Sequence, residues 1–409
     1  MAANYLHGVE TIEIETGPRP VKAVKSAVIG LIGTAPCGPV NQPTLCLSES
    51  DAAQFGPGLA NFTIPQALKA IYDHGAGTVV VINVLNPAVH KSTIPSETVK
   101  VDDNGQIQLK HGAVQTMNIG RSTNAGNAYI KGTDYTIDML TGKITCMGTN
   151  LKPGAQAEAL GAITYIDAPI GTTFQQVLAG RGPQGAINFN TSSDRARLCY
   201  PHVKVYDSAT DSEVLEPLSS RAAGLRAKVD LEKGFWWSNS NQEIQGITGV
   251  ERSLSAMIDD PQSEVNQLNE NGITTIFNSY GSGLRLWGNR TAAWPTVTHM
   301  RNFENVRRTG DVINESIRYF SQQYMDMPIN QALIDALTES VNTWGRKLIA
   351  DGALLGFECW YDPARNEQTE LAAGHLLLSY KFTPPPPLER LTFETEITSE
   401  YLVSLESNR

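Results

Sequence analysis

The chain has 409 residues, 41% apolar and 18% charged, which is enough for two or three domains with cores of their own. Its net charge of −10 removes the basic footprint expected of a nucleic-acid binder. No run of ~18 apolar residues is present for a membrane span, and the opening MAANYLHG lacks the basic and apolar regions of a secretory signal.

The first element is an acidic, alternating stretch. Ile12 and Ile14 point to one face and Glu13 and Glu15 to the other, the period-2 pattern of a half-buried strand. Pro18 and Pro20 interrupt any ladder, so this strand is cut off from the next one. Beyond them, Ala27 to Ile32 reads as an apolar strand, SESDAAQFG as a short helix capped by Ser48 or Ser50, and PQALKAIYDHG as a helix ending at Gly75. The β-branched run TVVVINVL suits a central strand and completes a strand–helix–strand unit over residues 24–86.

From Pro87 the texture changes to short strands and many glycines. VKVDDNGQIQLKHG reads as a hairpin around Asn104-Gly105, and YIKGTDYTIDMLTGKITCM as another around Thr141-Gly142. The α/β pattern resumes with TFQQVLAG as a short helix, ARLCYPHVKVYD as one strand, and SSRAAGLRAKVDLEKG as a helix ending at Gly234. GITTIFNS and GLRLWGN are strands. Two long amphipathic helices come next, from Phe303 to Met325 and from Ile329 to Ala350. ALLGFECWYD and HLLLSYKF are the last strands before four consecutive prolines.

Those prolines favour an extended spacer of ~12 Å at about 3.1 Å per residue. Past it, Leu391, Phe393, Thr395, Ile397, Ser399, Tyr401, Val403 and Leu405 share one face, while Glu394, Glu396, Glu400 and Glu406 lie on the other. One strand of this length would span ~50 Å, far beyond the usual five or six residues, so a break near Ser399 is expected. Both ends of the chain thus carry an isolated, alternating, acidic segment. Either each arm folds back onto its own domain, or the arms are exchanged between subunits, and their presence at both ends favours exchange. Direct pairing of the two acidic faces would set like charges opposite one another. The arms are therefore expected to be separated by, or offset along, a host strand such as HLLLSYKF, with Lys381 as a cation.

Motifs for chemistry are mostly absent. VIGLIGTAPCG departs from a dinucleotide fingerprint, and Pro36 and Pro39 stand where a helix should begin. The seven histidines are isolated from one another, and the five cysteines (Cys37, Cys46, Cys146, Cys199, Cys359) read as reduced thiols of a cytoplasmic protein. Asp259-Asp260 and Asp134/Asp138 suit turns better than acid/base pairs. No catalytic residue, metal or cofactor is expected. Trp236 and Trp237 in GFWWSNSNQEIQGITGV suit either a sugar or aromatic-ligand platform or core packing beside a polar loop, and packing is favoured. In YGSGLRLWGNRT, Trp287 packs while Arg290 bridges carbonyls or carboxylates.

GFWWSNSNQEIQGITG and GLRLWGNRT, which contain Trp236, Trp237, Gly246, Trp287, Asn289 and Arg290, closely resemble segments of contractile tail sheath proteins of bacteriophages and R-type bacteriocins. LHGVETIEIETGPRPV, SAVIGLIGTAP, NFENVRRTGDVINESI, DGALLGFECWYDP and FETEITSEYL fit the same family in the same order. The resemblance implies stacked hexameric rings around a tail tube, arms that add strands to neighbouring subunits, and contraction from the baseplate that drives the tube through an envelope. It implies tube, baseplate and tail terminator proteins as partners, residence in the virion tail after assembly in the host cytoplasm, and a structural rather than enzymatic role. A bacteriocin sheath without a genome and, from another class, an α/β enzyme with a cleft near Trp236 and Trp237 are the alternatives. The expected fold is mixed α/β (α+β): an N-terminal arm (1–20), a sheath domain in two parts (21–90 and 170–298), and an inserted β-rich domain at the outer radius (91–169). An inner C-terminal α/β domain (299–387) and a C-terminal arm (388–409) complete it.

Overall fold

The computed structural model describes residues 21–59, 62–75, 77–86, 88–94, 97–121, 129–147, 151–154, 156–166, 193–207, 211–257, 259–279 and 283–399. The first sheet has the order β1-β3-β2, with β1 (Val28–Gly33) parallel to β3 (Thr78–Asn83) and β2 (Thr44–Cys46) antiparallel to it. The β-branched run is thus the central strand. Helix α1 (Glu49–Ala52) begins at Ser48, whose Oγ accepts from the Asp51 N–H, and α2 (Thr63–Tyr72) buries Ile64, Leu68 and Ile71 against Val79 and Val81.

Seven strands come next: β4 (Lys91–Ile94), β5 (Glu97–Lys100), β6 (Gln106–Gln108), β7 (Val114–Arg121), β8 (Tyr135–Asp138), β9 (Lys143–Cys146) and β10 (Gln156–Ile166). β10 pairs with β4, β5 and β7, while β6, β9 and β8 make a second sheet around Val101, Ile107, Tyr135 and Ile144. The β8–β9 hairpin turns at Gly142 as its sequence indicates. The hairpin expected around Asn104-Gly105 does not form. Its turn exists, with Gly105 at φ +73, but β5 joins β10 and β6 joins β9. The Asp102 carboxylate captures the N–H groups of both Asn104 and Gln106, so the ladder is diverted after one turn.

The central part holds β11 (Leu198–Cys199), β12 (Val203–Asp207), β13 (Ser212–Glu216), α3 (Leu218–Glu232), β14 (Gln242–Glu243), β15 (Gly249–Val250), α4 (Glu264–Glu270), β16 (Ile273–Ser279) and β17 (Gly283–Trp287). The single strand expected over ARLCYPHVKVYD is two. β11 runs parallel to β16, whereas β12 pairs with β13 and β15, and Pro201 between them has no N–H to continue a ladder. The expected helix TFQQVLAG lies outside the described residues. At the C-terminal end, α5 (Glu304–Ser321) and α6 (Gln331–Ala350) bury Val312, Ile313, Phe320, Leu337, Val341, Trp344 and Leu348 in one core. Against it lies a two-stranded antiparallel sheet of β18 (Gly356–Tyr361) and β19 (Leu378–Thr383), with the short α7 (Gln368–Ala372) in its connection.

A buried charge joins the first two parts. Arg221, 0% exposed on α3, donates to Glu216 at 2.8 Å and to Asp73 at the end of α2. Beside it, His74 is buried; its Nδ1 lies 2.9 Å from the Ala70 carbonyl and its Nε2 accepts from the Gln245 N–H at 3.2 Å. This pairing requires the neutral ring with a proton on Nδ1. Burial depresses its pKa, helped by Arg221 and Lys228, against the opposing pull of the Ala70 carbonyl and Asp73. The unfolded chain protonates near ~6.5, so the unfolded state binds more protons just below that pH. Stability from His74 is therefore complete above ~6.5 and is lost as pH falls from there towards the folded value. Melting at pH 5 should lie about 1 °C below that at pH 7 for each ~1 kcal/mol lost, and His74→Gln should remove the His74 share of that fall. An equal fall in the variant assigns the titration to other groups.

Candidate inter-subunit interface

The β18–β19 hairpin is amphipathic across its two faces. Phe357, Cys359, Leu378, Tyr380 and Phe382 turn towards α5 and α6, with Phe357, Tyr380 and Phe382 stacked at successive centroid distances of 6.2 Å. Gly345 makes room: a Cβ there would lie 2.2 Å from the Phe357 ring. Tyr380 donates its hydroxyl to Asn314 of α5 at 2.7 Å, and burial pushes the Cys359 thiol up to about 11. On the opposite face Lys381 meets Glu358 at 2.7 Å and lies over the Trp360 ring. Two expectations about the host strand change here. Lys381 already has a carboxylate within its own hairpin. One edge of β19 is also filled by β18, so β19 does not stand between two arms, although an offset along it stays open.

The C-terminal segment leaves this hairpin through a held spacer. Pro384 is buried, and the Pro385 carbonyl accepts from Asn305 Nδ2 at 3.5 Å. Arg290 then takes hold of Glu389. Its guanidinium sits 4.0 Å from the centres of both the Trp294 and Phe303 rings, donates from Nε to Glu389 Oε1 at 3.0 Å, forks through Nη2 to Oε2, and gives Nη1 to Asn302. Past this point residues 390–398 form no helix or strand and join no described sheet, and the chain bends at Ser399. Leu391, Phe393 and Ile397 are 62%, 80% and 103% exposed, so the apolar face of the arm is open to solvent in the single chain. Ile12, Ile14 and Tyr401 lie outside the described residues.

Trp236, Trp237, Trp287, Asn289 and Arg290 are brought together along a groove of about 910 Å³ beneath the proline spacer. Trp236 packs edge-on against Phe235 at 5.1 Å and Trp287 tilts against Phe277 at 4.9 Å, while Trp237 is half exposed. Asn289 accepts from the Ser238 hydroxyl, and its carbonyl accepts from the Glu304 N–H at 2.9 Å. Gly246 stands apart from the groove. Its φ is +72, and a Cβ there would lie 2.5 Å from Arg221 Nη1, so glycine leaves room for that guanidinium. Sequence reasoning missed Arg221, Asp230, Glu304 and Arg308. Only the i,i+4 spacings Arg226/Asp230 and Glu304/Arg308 signalled part of that group. Among the described residues no three His, Cys, Asp or Glu side chains cluster to hold a metal, and no helix is long and apolar enough to cross a membrane. Asp134 and Asp138 serve turns, accepting from the Ile130 and Leu140 N–H groups.

Removing the Arg290 clamp tests the spacer. Arg290→Ala should expose the bond after Arg390 to trypsin, with cleavage rising about tenfold for each ~1.4 kcal/mol of lost anchoring. Unchanged cleavage would mean that the prolines alone hold the segment.

Two family models match this fold: the phage tail sheath protein central domain over residues 147–292, and the phage tail sheath C-terminal domain over residues 296–398. The chain is 62% identical over 474 aligned positions to the tail sheath protein of Burkholderia phage BcepMu, covering 99% of both chains. It is 29% identical to the tail sheath protein of Escherichia phage P2, covering 98% of each. Among solved structures, the PVC sheath complex of an extracellular contractile injection system in its contracted state aligns with TM-score 0.61 and 16% identity, over 98% of this chain and 99% of that one. The helical sheath of the anti-feeding prophage, also contracted, aligns with TM-score 0.61 and 16% identity over 96% and 99%. Matched along almost its whole length by a tail sheath protein and over most of its C-terminal two thirds by both sheath domain models, the chain belongs to the phage tail sheath protein family.

Proposed function

We propose that this chain is the polymerising, force-generating subunit of a contractile tail sheath. Its copies stack as hexameric rings around a tail tube, and contraction starting at the baseplate drives the tube through a bacterial envelope. The observation that carries the reading is the exposed apolar face of Leu391, Phe393 and Ile397 on an alternating arm that joins no sheet of the described residues, in a chain whose two-stranded β18–β19 sheet has, among those residues, no strand on the outer side of β19. Strand addition satisfies both needs with one ladder. Besides its own copies, the partners are the tube, the baseplate and the tail terminator, and the place of action is the virion tail after assembly in the host cytoplasm. The sheets within residues 91–169 sit at the outer radius, where an insertion with adjacent ends is tolerated. A bacteriocin sheath would work by the same mechanics with no genome to deliver.

The role is structural. The groove by Trp236 and Trp237 is where an enzyme reading would place its chemistry, but its polar groups already serve packing: Asn289 is bound to Ser238, and Arg290 to Glu389 and Asn302. The work of contraction comes instead from burying more subunit surface in the contracted lattice.

Deleting residues 388–409, or residues 1–16, should leave a monomer with near-native circular dichroism and melting but abolish polymerisation. Each inter-subunit backbone hydrogen bond lost removes about 0.5–1.5 kcal/mol. Thermal melting and negative-stain microscopy of the same preparation check both halves of this expectation. A truncated chain that unfolds would place the arms in their own core and overturn exchange.

A further inference from the structure

The two outer edges of the β18–β19 hairpin are not equivalent. Cys359, in the middle of β18, donates its N–H to Asn342 Oδ1, and its carbonyl accepts from Asn342 Nδ2, both at 2.8 Å. Asn342 is on α6, one turn from the Gly345 that lets the helix meet Phe357. A strand residue turns both backbone groups to one side and its neighbour turns them to the other. The bonds to Asn342 therefore set the parity. Phe357, Cys359 and Tyr361 face away from β19, and Gly356, Glu358 and Trp360 face it. Across the ladder Leu378, Tyr380 and Phe382 pair with Tyr361, Cys359 and Phe357, so their N–H and C=O groups point to the outer edge of β19. Among the described residues no strand pairs with that edge. One edge has its central position filled by a side-chain amide that imitates a neighbouring strand, and the other has no strand partner among the described residues.

We propose that Asn342 closes the β18 edge, so that the C-terminal arm of a second copy adds to β19 alone. This rests on the strand-exchange reading of the arms. The occupant is set by the arm itself, which alternates Leu391, Phe393 and Ile397 with Glu394 and Glu396 and exposes all three apolar side chains. Laid beside β19, its apolar row continues the Leu378, Tyr380 and Phe382 row, and its glutamates continue the solvent-facing row of Ser379 and Lys381. Its own hairpin is a poor host. The chain leaves β19 through four prolines that extend it by ~12 Å, and Arg290 pins Glu389 before any reversal. Adding a strand to β18 instead would expel Asn342 and leave its amide without partners beside a buried core.

Hydrogen–deuterium exchange of the full chain, as monomer and as polymer, reads this directly. In the polymer the segment 378–383 should gain protection at the amides of Leu378, Tyr380 and Phe382, slowed at least ~100-fold, while segment 356–361 stays as in the monomer. New protection on β18, or on neither strand, overturns the proposal. If deleting residues 388–409 leaves polymerisation intact, the exchange reading itself fails. If the deletion abolishes polymerisation but protection falls on β18, only the edge assignment fails. Asn342→Ala should speed exchange of the Cys359 amide in the monomer and let protection spread to β18 in the polymer. An unchanged Cys359 amide removes Asn342 from this role.

Discussion

Two carboxylates shared by arginines, Asp230 on α3 and Glu304 at the start of α5, fix the C-terminal helices to the central sheets. The Asp230 side chain is 0% exposed and accepts from Arg226 and Arg308. Glu304 is approached by Arg226, Arg197 and Arg308 at 3.4, 3.9 and 3.6 Å. Burial on its own would raise the Glu304 pKa, but the three arginines outweigh it and hold the carboxyl below its ordinary value. Arg197 also reaches Thr274 on β16, Asn239 and the Gly288 carbonyl, and Arg308 reaches the Ser26 carbonyl. A buried ion pair adds little net stability over an apolar substitute, but removing one partner costs about 3–5 kcal/mol. Such a network selects one arrangement of the two parts. The hairpin, packed on α5 and α6, is thereby held in one orientation relative to the central sheets.

The segments at the two ends of the described chain are anchored on the same helix. On the N-terminal side Val21 is buried in the C-terminal core, and the Val24 N–H donates to Ser316 Oγ on α5 at 3.0 Å. On the C-terminal side Asn305 of α5 holds the Pro385 carbonyl, and Phe303, just before α5, forms one face of the Arg290 sandwich. In the strand-exchange reading a pull on either arm is therefore delivered to α5, and through Glu304 and Arg308 to the central sheets. The four prolines suit this position because they transmit tension with little slack, having few conformations to lose.

Local patterns were legible in the sequence because their causes are local. The β-branched run at 78–83, the Ser48 cap, the turn at Gly142 and the stripes of α5 and α6 all depend on neighbours within a few residues. Failures began where partner choice is not local. The turn at Asn104-Gly105 is plain in the sequence, but the longer strands β9 and β10 claim its flanks, and the residues around Pro201 read as one strand because both sides of it are apolar. Arg221 was invisible as a buried residue. Its partner Asp73 lies 148 positions away, and nothing in SSRAAGLR distinguishes a buried guanidinium from a solvated one. Asn342 was hidden for the same reason. It occupies a polar position on an amphipathic helix, and only the fold shows that it faces a strand edge rather than water. The alternation of the C-terminal arm was plain, and so was its isolation by prolines, because both are written in adjacent residues.

An open edge and an exposed apolar arm are liabilities in a monomer, and each has a reason to persist here. Leu391, Phe393 and Ile397 each stand to gain roughly 1.5–3 kcal/mol on full burial, which is lost in a free chain and recovered in a polymer. The same surfaces would promote uncontrolled pairing if every edge were available. Leaving β19 open while Asn342 fills the centre of β18 limits strand addition to one edge of the hairpin. A ladder of main-chain hydrogen bonds also has a property that side-chain contacts lack: it depends on two strand edges and not on the faces of the bodies behind them. In the sheath reading, subunit bodies can exchange one set of facing surfaces for another during contraction while the ladder and the proline spacer keep neighbours joined. The connection that must survive the change is thus built from backbone, and the surfaces that must change are left to side chains.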